Sequence, residues 1–128
     1  MVKKQQKIYK ILFSLWTIII FITILMPKSE LELQPIPIHI PHFDKFVHIC
    51  LFGVFMFFLC KVTELKTSAK FKLYILSISI SCFLGILTEI IQGLLETYIQ
   101  RSFSWWDFLA DCIGTAIALI IYICFSKR

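Results

Sequence analysis

Four stretches of this chain, Ile8 to Met26, Phe46 to Thr63, Leu73 to Leu95 and Trp105 to Phe125, are almost unbroken apolar runs. A helix needs roughly 17 to 25 mostly apolar residues to cross the hydrocarbon core of a bilayer, and each stretch comes close to that length. The charged residues gather in blocks between the runs instead of alternating along amphipathic faces. With 59% of its 128 residues hydrophobic, a soluble domain of this size would leave much apolar surface uncovered. The pattern predicts an all-α integral membrane four-helix bundle, a single domain over residues 1–128.

The second run is the shortest and carries His48 and Lys61, which leaves a tilted or re-entrant segment as an alternative to a full span. Lys3, Lys4, Lys7 and Lys10 before the first run resemble the start of a signal peptide. Met26-Pro27-Lys28-Ser29 follows, with no small-x-small cleavage site, so an uncleaved first helix is expected. The five cysteines, Cys50, Cys60, Cys82, Cys112 and Cys124, all lie in apolar runs, and no two are spaced C-x-x-C. They read as small buried hydrophobes, not as a disulfide framework or a zinc or redox motif.

Orientation follows from the basic residues. Lys3, Lys4, Lys7, Lys10, Lys61, Lys66, Lys70, Lys72, Lys127 and Arg128 fall on one side, and Lys28, Lys45 and Arg101 on the other. The richer side is expected in the cytoplasm, with both termini there. Tyr9 and Tyr74 then mark inner ends, and Tyr98, Trp105 and Trp106 the outer boundary. The net charge of +5 serves headgroups and orientation, not nucleic acid. The outer loop from Pro27 to Lys45 contains Pro35, Pro37 and Pro41, which deny helix and favour an extended or polyproline course.

With that topology the polar groups of the spans all lie near one face of the bilayer. Asp44 and His48 begin the second span, Glu89 and Gln92 end the third, and Asp107 and Asp111 begin the fourth, with Arg101 in the short loop before it. Residues three or four apart share a helix face, so Asp44 stacks with His48. Ser77, Ser81, Gly85, Thr88, Glu89, Gln92 and Glu96 form a small-and-polar stripe on the third span. Asp107, Asp111, Gly114, Thr115, Ala118 and Tyr122 form another on the fourth. The two sets of carboxylates are expected to meet. A charge near the membrane centre costs about 2.5 to 3.5 kcal/mol and so needs a partner or water. One arrangement has Arg101 and His48 neutralising Asp107, Asp111 and Glu89, with Asp44 as a helix cap beside Lys45 as a headgroup anchor; the other is a ligand-binding cavity.

Read in order, Asp44-Lys45-Phe46-Val47-His48, then Glu89-Ile90-Ile91-Gln92, then Arg101, then Asp107-Phe108-Leu109-Ala110-Asp111-Cys112-Ile113-Gly114, the chain resembles the VanZ-like family of small bacterial membrane proteins. That family's pattern runs Asp-Lys-x-x-His, Glu-x-x-Gln, Arg, and Asp-x-x-x-Asn-x-x-Gly. The departure is Asp111, where the family more often has Asn. The resemblance implies a four-helix membrane domain in the bacterial cell membrane. Through the family's namesake it also implies a link to resistance against glycopeptide antibiotics such as teicoplanin.

Three classes of function fit these residues. An envelope protein would bind a lipid-linked or lipophilic ligand, such as an envelope precursor or a lipoglycopeptide. Its polar set would be Asp44, Lys45, His48, Glu89, Gln92, Arg101, Asp107 and Asp111, with Arg101 and His48 facing anionic groups and the helix stripes taking the acyl part. An intramembrane enzyme would use Glu89 or Asp107 as general base, His48 as acid or metal ligand, and Arg101 to hold a phosphate or carboxylate. Against it, no nucleophile or metal signature is present; His39 and His42 sit on the proline-broken loop, and no cofactor is implied. A proton-linked transporter would need several such chains to oligomerise around a path. Membrane lipids are the partners common to all three.

Overall fold

The computed structural model describes residues 2–32 and 42–126. The expected extended course of residues 34–41, with His39, lies outside them, as do Lys127 and Arg128. Six helices follow in order: α1 (Val2–Leu25), α2 (Lys28–Glu32), α3 (Phe43–Glu64), α4 (Lys70–Leu94), α5 (Glu96–Ile99) and α6 (Trp105–Ser126). Among the described residues there is no strand. The helices α1, α3, α4 and α6 are long and apolar enough to cross a membrane, as the four runs predict.

The second run forms one continuous helix of 22 residues, α3, and not a re-entrant hairpin. It starts at Phe43, so Asp44 and Lys45 belong to its first turn. Lys61 is accommodated at the far end of α3, 3.5 Å from the Glu64 carboxylate and over the Tyr122 ring. The third run ends at Leu94, within a residue of its expected end at Leu95, so Glu96, expected on its polar stripe, falls outside it. The chain breaks at Leu95, Glu96 opens the short α5, and its side chain is exposed.

One glycine, Gly114, sets the central packing, with Gly53 beside it. The helices α3 and α6 run side by side in the same direction. A side-chain carbon on Gly114 would overlap the Ile49 carbonyl and stand 3.0 Å from the Ile49 Cα. One on Gly53 would meet the Gly114 carbonyl at 3.5 Å. Without a strong hydrophobic drive between helices in lipid, such close approach supplies the dispersion contact that holds them together. Behind them the stripe of α4 is buried, with Ser81 hydrogen-bonded to Thr115 at 2.7 Å and the Ser77 hydroxyl donating to Thr63 at 3.4 Å.

The remaining helix, α1, lies against α3. Ile20, Ile24, Phe52, Phe55, Met56 and Leu59 are buried together, and the Trp16 indole donates to the Leu51 carbonyl at 2.9 Å. Outward faces such as Ile18, Ile22, Phe83 and Ile120 are exposed and meet lipid. The ends of the bundle differ in kind. The C-terminal ends of α1 and α4 and the N-terminal ends of α3 and α6 share one end, where the acidic groups of the spans other than Glu64 collect; Lys70 and Ser126 meet at the other, at 3.3 Å.

Candidate functional site

Each helix delivers polar groups to that acidic end for a local reason. On α4, Thr88, Glu89 and Gln92 continue the buried face that Ser77, Ser81 and Gly85 begin, since all recur at three- or four-residue spacing. On α6 the start is fixed by Ser104. Its hydroxyl accepts the Asp107 N–H at 3.3 Å, the bond of a helix cap, while its own N–H donates to Glu89 Oε2 at 3.0 Å. The cap thereby ties the start of α6 to the end of α4. Gln100, at φ 55°, turns the chain out of α5 and sends Arg101 back across the bundle.

Eight residues were expected in the site, and the structure pairs them differently from the neutralising arrangement read from sequence. Arg101 forms an ion pair with Asp44 and donates to the Thr23 carbonyl at 3.4 Å. Lys45 Nζ lies 3.4 Å from Asp107 Oδ1. Asp44 is therefore the partner of Arg101 and not a cap beside a headgroup anchor, and Lys45, not Arg101, faces Asp107. The reason is reach: Arg101 follows the turn at Gln100 toward α1 and the start of α3, while Lys45 lies on the α3 face beside α6. His48 meets Asp111 as expected, Nδ1 to Oδ1 at 2.8 Å, with both side chains 2% exposed. Gln92 donates to the Ile24 carbonyl at 3.2 Å. With Arg101 it satisfies carbonyls of the last turn of α1, which have no partner within their own helix.

Glu89, Asp111 and His48 come together from three helices. Each offers a ligating atom, and these atoms lie within 4.8 Å of one another; Asp44, His48 and Asp107 form a second such trio sharing the histidine. Glu89 Oε1 and Asp111 Oδ2 are buried and have no protein hydrogen-bond partner, and Asp107 Oδ1 has only the Lys45 ammonium, outside hydrogen-bond geometry. The sequence pattern did not point to Ser104, Trp16 or the α1 carbonyls. For Ser104 the signal was present, since Ser104-Trp105-Trp106-Asp107 has the spacing of a helix-start box. No sequence signal exists for backbone carbonyls.

Beside the polar end runs an apolar groove between α3 and α6, with a volume of about 360 Å³. Gly53 and Gly114 are among its lining residues, and Ile49, next to His48 in the chain, brings it up to the level of the site. Tyr98, Trp105 and Trp106, at the same end of the molecule, are at least two-thirds exposed. A second cavity, of about 280 Å³, lies at the opposite end between Glu64, Lys70 and Tyr122; none of the expected site residues lines either the groove or this cavity.

A charged cluster at one end of four apolar helices, with His48, Glu89, Asp107 and Asp111 buried in it, defines a multi-pass membrane protein with a buried polar site. The family model described as VanZ/LLP1 matches residues 2–126, nearly the whole chain, and the protein belongs to that family. No curated protein and no solved structure matches it.

Proposed function

We propose that this is a bacterial cell-envelope protein that binds a lipid-linked or lipophilic envelope ligand. The headgroup sits at the polar end of the bundle, and the hydrocarbon lies along the groove between α3 and α6. The observation that carries this reading is the pair of buried carboxylate oxygens, Glu89 Oε1 and Asp111 Oδ2, without protein donors, in a molecule whose apolar groove of about 360 Å³ reaches Ile49, the residue after His48. An unsatisfied buried acceptor costs free energy that a ligand's donors or cation would recover. Arg101 and His48, the cations expected to face an anionic headgroup, are already engaged by Asp44 and Asp111, which shifts the expected headgroup contacts to the carboxylates.

The polar end faces outward in this proposal, with both termini in the cytoplasm, because ten basic residues flank the other end against three here. A contribution to glycopeptide or lipoglycopeptide resistance belongs to the same reading, through the family. Glu89→Gln keeps the size and an acceptor of the side chain. In cells whose teicoplanin tolerance or envelope-stress response depends on this protein, it should be expressed as well as the wild type yet inactive. A wild-type response from Glu89→Gln contradicts the proposal.

A second reading, an intramembrane enzyme acting on a lipid-linked envelope precursor, is favoured by one observation: His48 and two carboxylates converge in a buried setting. In it Glu89 is the general base and His48 the acid. Incubation of the purified protein with a lipid-linked precursor, followed by mass spectrometry, separates the two. Binding without turnover supports the first reading, and a new product supports the second.

A further inference from the structure

We propose that His48, Glu89 and Asp111 form a binding site for a divalent metal ion. Their ligating atoms come from α3, α4 and α6 and lie within 4.8 Å of one another. Glu89 is 0% and Asp111 2% exposed, and each points one oxygen, Oε1 and Oδ2, at no protein donor. Asp111 Oδ2 lies against the notch left by Gly85, 3.2 Å from where a side-chain carbon would stand. The small residue of α4 thus makes room for the carboxylate of α6.

Charge points the same way. Lys45 and Arg101 are taken up by Asp107 and Asp44, so among the described residues His48 is the basic side chain left to the Glu89 and Asp111 carboxylates. In a low-dielectric interior two carboxylates beside one imidazole favour a cation between them. One imidazole and two carboxylates suit Zn²⁺, a borderline ion, and, through the carboxylates, the harder Mn²⁺. Mg²⁺ and Ca²⁺ prefer oxygen alone, and Cu⁺ prefers sulfur. Tetrahedral zinc holds its ligand atoms roughly 3.4 Å apart, which small side-chain rotations within this trio reach. Three protein ligands leave a fourth position for a water or for an oxygen of a bound headgroup.

Metal loading is measured on the untagged protein in detergent, stripped with a chelator and dialysed against Zn²⁺ or Mn²⁺, without added lipid. It therefore succeeds or fails independently of the lipid-ligand proposal. About one ion per chain is expected. Glu89→Gln and Asp111→Asn should each weaken binding at least about tenfold, while His42→Ala, at an exposed histidine, should leave it unchanged. X-ray absorption of the zinc-loaded wild type, which needs no variant to fold, should show one imidazole among light-atom ligands. Failure of the wild type to retain metal, equal loading of Glu89→Gln and Asp111→Asn with the wild type, or a spectrum without imidazole scattering overturns the site.

Discussion

His48 and Asp111 are each 2% exposed and meet at 2.8 Å, so neither can lose its partner and turn to water instead. Removing one member of such a pair costs about 3 to 5 kcal/mol because the other is left stranded. Asp111→Ala should therefore destabilise the protein strongly in chelator-treated detergent, whereas Asp111→Asn, which keeps an acceptor for His48, should lose less than half as much. A His48→Ala, Asp111→Ala double-mutant cycle by thermal unfolding should give a coupling of about 0.5 to 3 kcal/mol; strict additivity would contradict the pairing. The outer pairs behave differently. The Asp44 side chain is 47% exposed, and partly exposed pairs are worth about 0 to 1 kcal/mol. Loss from Arg101→Ala should be partly recovered by Asp44→Asn and not by Asp107→Asn, since Arg101 pairs with Asp44 and Lys45 with Asp107.

Among the elements, α3 and α6 carry the packing that positions the site, and two glycines in their interface make opposite predictions. Gly114→Ala places a methyl group against the Ile49 carbonyl, which is backbone and cannot rotate away. Overpacking of this kind costs about 1 to 3 kcal/mol. At Gly53 the nearest atom stands at 3.5 Å, ordinary contact, and alanine gains up to about 1 kcal/mol of helix propensity. Unfolding in a graded denaturing detergent should thus rank Gly53→Ala at or above the wild type and Gly114→Ala below it. The four spans were legible because apolar length and charge blocks report directly on a bilayer. The buried stripes of α4 and α6 were legible because helical spacing is periodic. The His48–Asp111 pair was legible as well, but the partners of the two outer cations were not. The partners of Arg101 and Lys45 depend on the turn at Gln100 and on the crossing of α3 with α6, which are tertiary facts. The end of the third span near Leu95 was legible too, but Glu96 continues the spacing of the stripe without continuing the helix, so its place outside α4 was not.

At the scale of the whole molecule the acidic groups of the spans, Glu64 excepted, gather at one end, and most of the basic residues of the sequence flank the other, a division that makes topology and function a single question. In a background lacking the native cysteines, Cys at Lys28 or Ser102, both exposed at the polar end, should react with an impermeant thiol reagent from outside the cell. Cys at Lys66 or Ser68 should react only after permeabilisation; labelling of these from outside would invert the proposed orientation. In the proposed orientation the groove opens toward the outer leaflet. Ile117 lines that groove from the lipid side, 47% exposed, so Ile117→Trp should fill it while leaving the helix interface intact. The most direct measurement is mass spectrometry of the lipids that copurify with the protein from bacterial membranes, compared among wild type, Glu89→Gln and Ile117→Trp. Enrichment of one lipid-linked or lipophilic species on the wild type, lost in both variants, is the expected result; bulk membrane lipid in the same proportions on all three would contradict a ligand site built from the polar cluster and the groove.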